Sequence, residues 1–112
     1  MIFVTGPLFA GKREYIRQAL GLSREEFAEK AVWDVQDLAA KAPNLSTLAE
    51  ELSQKEIVIA TEIGGGVVPI DPAERAAREA AGRLACLLAG CADTVVRVYC
   101  GLPQVLKGKL LC

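Results

Sequence analysis

Met1-Ile-Phe-Val-Thr5 runs directly into Gly6-Pro7-Leu8-Phe9-Ala10-Gly11-Lys12-Arg13, and the order of those two pieces decides the fold. The first is a short, continuous apolar run, which reads as a buried strand over Ile2–Thr5. Gly11–Leu20 behind it reads as a helix. A strand that opens through Gly-x-x-x-x-Gly-Lys into a helix is the layout of a phosphate-binding loop. Glycines let backbone N–H groups curl around an anion, and the lysine brings a positive charge to the terminal phosphates. Gly6, Pro7, Leu8, Phe9, Ala10, Gly11, Lys12 and Arg13 are therefore the candidate phosphate-contacting residues. Pro7 has no N–H to offer. Leu8 and Phe9 are bulky, and pack either over a base or against a partner subunit.

Arg13 departs from the pattern, which at this position has a Ser or Thr whose hydroxyl holds Mg²⁺. A guanidinium cannot ligate a cation. Arg13 either binds a phosphate oxygen in place of part of the metal's charge, or marks a site that lost turnover, or points outward as an ordinary first-turn residue. The competing reading of the whole stretch is a glycine-rich strand-to-helix turn with a surface lysine.

Outward from the loop, Gly21 closes the first helix. Ser23-Arg-Glu-Glu26 is a capping box that starts a second helix over Arg24 to about Lys30. Ala31–Val35 is either a brief strand or a continuation of that helix. Gln36–Lys41 looks helical until Pro43 breaks it. Leu45, Leu48, Ala49 and Leu52 repeat at helical spacing behind Asn44 or Ser46 as N-cap. Glu56-Ile-Val-Ile-Ala-Thr61 is the clearest strand, and its β-branched continuity suits a parallel strand covered on both faces. Asp71-Pro72-Ala73-Glu74 opens a long helix, with an apolar stripe of Ala73, Ala76, Ala77, Ala80, Ala81, Leu84, Leu87, Leu88 and Cys91. Thr94–Cys100 is the last strand expected, followed by Gly101-Leu-Pro and a basic tail with Lys107 and Lys109. This order implies a single α/β domain over residues 1–112 with a mostly parallel sheet of three or four strands flanked by helices. Ligands in such folds bind beyond the carboxyl ends of the strands. That puts the 6–13 loop, the 62–69 loop and the 101–103 turn on one rim.

Thirteen basic against fourteen acidic residues leave a net charge of −1, which makes no electrostatic case for nucleic acid. The 52% hydrophobic content and mean hydropathy of +0.28 are high for so short a soluble chain. They suggest an apolar surface covered by another subunit, hence a homo-oligomer. No apolar run approaches the roughly 20 residues a membrane span needs, and no signal peptide is recognisable, so a cytoplasmic protein is expected. Cysteines 86, 91, 100 and 112 make no Cys-x-x-Cys pair and read as buried, reduced thiols. Histidine is absent. Neither a zinc site nor any chemistry that needs an imidazole is available to this chain.

Two more constellations bear on chemistry. Glu62, at the end of the clearest strand, faces the phosphate loop across the rim. A carboxylate there holds Mg²⁺ or accepts a proton from a substrate hydroxyl; otherwise it is a solvated glutamate in a turn. Gly64, Gly65 and Gly66 behind it need a reason such as positive φ or close approach by a ligand. Arg75, Arg78 and Arg83 either grip an anionic substrate or pair with Glu74 and Glu79 in water. Asp34 is a second metal-holding carboxylate for Mg²⁺, and Trp33 beside it is read as core rather than a stacking platform.

Ile2–Lys12 together with Val58–Gly108 resembles the bifunctional adenosylcobinamide kinase/adenosylcobinamide-phosphate guanylyltransferase family of cobalamin biosynthesis. Glu62-Ile-Gly-Gly-Gly-Val-Val-Pro69 is close to that family's Asn-Glu-Val-Gly-x-Gly-Ile-Val-Pro. Arg75, Arg78, Ala81-Gly82-Arg83, Ala92-Asp93 and Gly101-Leu-Pro-Gln-Val-Leu-Lys-Gly108 follow in the family's order. The resemblance implies a P-loop NTPase-like fold, usually trimeric, with nucleotide (ATP or GTP) and a corrinoid as substrates and Mg²⁺ as cofactor. It implies phosphorylation of the aminopropanol hydroxyl of adenosylcobinamide, with Lys12 and Glu62 as the catalytic pair. Gly64, Gly65, Gly66, Pro69 and Arg78 would form the substrate loop. The family's next reaction, GMP transfer, passes through a histidine that this chain lacks, together with most of the middle segment that carries it. Leu84 and Ala85 also stand where the family has Asn-Gln.

Overall fold

The computed structural model describes residues 1–62 and 71–109. At its centre lies β1 (Ile2–Gly6), paired in parallel with β3 (Ile57–Thr61) on one side and β4 (Thr94–Tyr99) on the other. β2 (Ala31–Val32) extends the sheet beyond β3, also in parallel, and β5 (Leu102–Lys107) closes the far edge antiparallel to β4. The strand order is β2-β3-β1-β4-β5. The sheet therefore has five strands instead of three or four.

The extra strands have physical reasons. Ala31–Val35 resolves into a two-residue strand because the N–H of Ala31 caps α2 (Arg24–Lys30) while Ala31 and Val32 pair with Ile57 and Val58. The stretch taken as a tail pairs with β4, and Pro103 sits opposite Val98. An edge strand tolerates a proline, because no outer neighbour needs its missing N–H.

Alternation along the strands divides the core in two. Phe3, Val58, Ala60 and Val95 face α3 (Gln36–Ala39), α4 (Leu45–Leu52) and α5 (Pro72–Cys91). Val4, Ile57, Ile59, Val96 and Val98 face α1 (Lys12–Ala19) and α2, which contribute Ile16 and Phe27. Both faces of β3 are covered, as its continuous apolar run requires.

Local signals set the helix ends. Gly21, at φ 65°, follows α1 in a Schellman arrangement: Leu22 N–H donates to Arg17 O and Gly21 N–H to Gln18 O. The Ser23 capping box forms in both directions. Asn44 caps α4 through Thr47 N–H, and Asp71 caps α5 through Ala73 N–H.

Two expectations are corrected. The buried stripe of α5 is Ala81, Leu84 and Leu88, whereas Ala73, Ala76 and Cys91 are exposed. A 20-residue helix is about 30 Å long and overhangs strands of five or six residues. Cys86, Cys91 and Cys100 are free thiols, as expected, but exposed instead of buried. No helix among the described residues is long and apolar enough to cross a membrane.

Candidate functional site

The chain crosses from β3 through α5 to β4 over the central β1, so the β1–α1 connection emerges in the middle of the carboxyl-end rim. Gly6 ends β1 at φ 150°, with its O accepting from Glu62 N–H at 2.8 Å. The loop then curls on itself: Ala10 N–H donates to Pro7 O, and Phe9 and Gly11 both take positive φ. Ala10 O accepts from Gly101 N–H at 2.8 Å, which ties the loop to the β4–β5 turn. Gly11 is the N-cap of α1 and supplies no side chain to it. The amides of the first turn are thus left for an anion.

Lys12, the first residue of α1, is only 8% exposed. Its Nζ donates to Pro7 O at 2.7 Å, so the ammonium sits inside the curl of its own loop. Burial pushes its pKa below 10.5; the charges of Asp34 and Glu62 oppose that shift, and Arg13 adds to it. A cation held so deep is stabilised by an anion placed beside it.

A cleft of about 290 Å³ opens in front of this lysine, lined among others by Leu8, Phe9, Gly11, Arg13, Trp33 and Asp34. Asp34 follows β2 at φ 57°, a left-handed geometry that aspartate tolerates better than most residues. Val35 N–H donates to Ile59 O, fixing the segment against β3. Trp33 is half-buried and stacked on Phe27 at 5.5 Å, and the Arg13 guanidinium lies 5.6 Å above its ring. Trp33 is thus both a core contact and part of the cleft wall. Leu8 and Phe9 are 65% and 95% exposed at its mouth.

Glu62 occupies a neighbouring hollow of about 120 Å³ with Thr5, Gln36, Thr61 and Gly82. Both its oxygens are held by Arg97, at 2.6 Å from Nε and 3.0 Å from Nη2. The same guanidinium lies 5.6 Å from the Tyr99 ring. Gln36 Oε1 accepts from Thr61 N–H at 2.9 Å, holding the end of β3. The structure therefore brings Lys12, Arg13 and Asp34 into one cleft and sets Glu62 beside it in an ion pair. Arg83 pairs with Glu79 at 2.6 Å, the solvated alternative, and Arg78 is half-buried on α5 and lines neither hollow. Gly64, Gly65, Gly66 and Pro69 lie outside the described residues.

Sequence reasoning missed Arg97 and Gln36. Arg97 had a signal: it is the one charged residue of a strand whose Val95, Val96 and Val98 are all buried. As to metal, no group of three or more acidic or sulfur ligands exists among the described residues. Mg²⁺ asks for less, one or two carboxylates completed by phosphate oxygens and water. Asp34, on the cleft wall, is a carboxylate that could serve in this way, whereas both oxygens of Glu62 are engaged by Arg97.

Residues 18–106 match the family model described as cobinamide kinase / cobinamide phosphate guanyltransferase. The chain belongs to this family. The cobinamide kinase/guanyltransferase match begins inside α1, so the loop from Gly6 to Arg13 lies ahead of it and stands on its own geometry. No match was found among curated proteins.

Proposed function

We propose that the chain is a P-loop, NTP-dependent cobinamide kinase of cobalamin biosynthesis. The observation that carries this reading is Lys12, buried at the start of α1 inside a loop curled by Phe9 and Gly11, with Asp34 across the cleft. The first-turn amides of α1 and Lys12 bind the β- and γ-phosphates of ATP or GTP. The corrinoid's aminopropanol hydroxyl approaches from the rim, and by family resemblance Gly64, Gly65, Gly66, Pro69 and Arg78 bind the substrate. The hydroxyl oxygen attacks the γ-phosphorus, the bond to the β–γ bridging oxygen breaks, and Glu62 accepts the hydroxyl proton after leaving Arg97. Asp34 would hold Mg²⁺, with Glu62 joining it only as the alternative to its proton-accepting role, and the metal when bound would supply charge neutralisation on the phosphate oxygens. Catalysis then rests on positioning and electrostatics. Guanylyl transfer through a histidine intermediate is not part of the proposal, because the sequence has no histidine. The exposed Tyr99, Leu102 and Leu106 around β5 support a homo-oligomer, with three subunits by family resemblance, which light scattering would count.

Calorimetric titration with ATP and GTP tests the loop. Micromolar binding that disappears in Lys12→Ala is expected, and no binding of either nucleotide refutes the reading. Formation of phosphorylated adenosylcobinamide then tests the kinase. A second reading, a nucleotide- or corrinoid-binding protein without turnover, is favoured by the Glu62–Arg97 pair and by Arg13 in the hydroxyl position. It predicts nucleotide binding with no phosphorylated product.

A further inference from the structure

α1 opens with two adjacent cations, Lys12 and Arg13, at the end where the helix dipole is already positive. Two cations side by side at this end repel each other, and Arg13 adds, after burial, to the lowering of the Lys12 pKa. Asp34 and Glu62 act on Lys12 in the opposite sense and outweigh Arg13 there, but neither carboxylate pairs with Arg13 itself. Glu62 is engaged by Arg97 through both oxygens and Glu14 by Arg17, which leaves Asp34 as the free acid on the cleft wall. Among the described residues no carboxylate pairs with Arg13. Its guanidinium rests instead over Trp33, whose ring is braced by the stack on Phe27. A guanidinium on an aromatic face is partly desolvated and oriented, yet keeps its N–H fork available for a planar pair of oxygens.

We propose that Arg13 supplies the positive charge that a loop hydroxyl and its Mg²⁺ bring to other phosphate loops, so that this site binds the triphosphate of a metal-free nucleotide. Trp33 is the positioning residue that holds the guanidinium at the cleft wall until phosphate oxygens draw it away. The inference rests on the phosphate-loop reading above and sharpens it. The ligand is the fully charged nucleoside triphosphate, held by the Lys12 ammonium and a bidentate Arg13 pair. Binding of the triphosphate then does not require a divalent cation, and Mg²⁺ at the acidic side of the cleft would assist only the transfer step.

Trp33 is the only tryptophan, so its emission reports on the stack. The experiment titrates ATP into the full chain with excess EDTA and again with excess Mg²⁺, followed by Trp33 fluorescence and in parallel by calorimetry. Native protein, Arg13→Ser and Lys12→Ala are compared, each after a thermal melt confirms folding. The native protein is expected to bind metal-free ATP at least as tightly as the Mg²⁺ complex, with a change in Trp33 emission as the guanidinium leaves the ring. Losing a charge-assisted pair should cost Arg13→Ser about 10- to 100-fold in metal-free affinity, while its affinity for the Mg²⁺ complex falls less. If the native protein needs Mg²⁺ as strictly as Arg13→Ser does, the role of Arg13 is overturned and the phosphate loop stands. If native protein binds ATP in neither condition, the phosphate-loop reading fails and the inference falls with it.

Discussion

Replacing Gly6 with alanine tests a close approach between β1 and β4, at the residue from which the loop springs. A Cβ on Gly6 would lie 2.2 Å from the carbonyl oxygen of Val98 and 3.2 Å from its carbonyl carbon. Ordinary C···O contacts begin at about 3.3 Å, so β1 and β4 must part by about 1 Å at this point. Neither strand is free to move: β1 is paired on both sides, and β4 is held by β1 and β5. Overpacking of this kind costs about 1–3 kcal/mol. The φ of 150° adds about 1–3 kcal/mol of strain for any residue with a side chain. The expected total of about 2–6 kcal/mol is a large part of the roughly 5–15 kcal/mol that keeps a domain folded. In a thermal melt even 2 kcal/mol appears as a drop of about 8–16 °C. Gly82→Ala is the control. It lies mid-helix with nothing within 4 Å of a new Cβ, and should gain about 0.5–1 kcal/mol. If Gly6→Ala melts within about 0.5 kcal/mol of the native protein, the close approach to Val98 is not real and the placement of the loop is wrong.

Lys12→Met removes a buried cation and should raise the melting temperature at neutral pH while abolishing nucleotide binding, a trade of stability against function. A destabilised variant that still binds ATP would contradict the site. The same lysine sets a pH dependence. Its folded pKa lies below 10.5, so between that lowered value and 10.5 the unfolded chain binds more protons. Its contribution to stability therefore rises with pH through this window, and urea melts of Lys12→Met should lack that rise. Ser23→Ala should cost about 1 kcal/mol by breaking the capping box of α2, read as a shift in urea midpoint; no shift would mean the box is idle in solution. Arg97→Ala should change stability by less than about 1 kcal/mol, because both partners of its pair are about one-third exposed. A loss of several kcal/mol would make Glu62 a structural anchor and remove it from the proposed chemistry.

The parts of the fold legible in the sequence were those written by local rules. Ser23 and Asp71 named their helices, Asn44 was one of two caps open for α4, and the β-branched run Ile57–Thr61 announced a strand covered on both faces. β5 was hidden because Gly101-Leu-Pro-Gln carries neither alternation nor β-branched continuity, and only pairing with β4 makes it a strand. In the site, Lys12 was placed by the loop pattern, while Arg13 kept three open orientations and Asp34 lay in a run undecided between strand and helix; the structure lines one cleft with all three. The Arg97 partner of Glu62 was not legible, since the two are 35 positions apart and only the sheet register brings them together. The exposed cysteines were misjudged on residue type, where position decides: Cys86 lies on the outer face of α5 between buried Leu84 and Leu88, Cys91 ends that helix, and Cys100 sits in the β4–β5 turn.

The hydrogen bond from Gly101 N–H to Ala10 O gives the loop a reporter that needs no ligand. That amide is shielded from solvent only while the loop lies against the β4–β5 turn, so its deuterium exchange rate counts the moments at which the two separate. If a nucleotide settles into the curl as proposed, this exchange at Gly101 should slow before any product exists, which would make the site visible in the protein's own backbone.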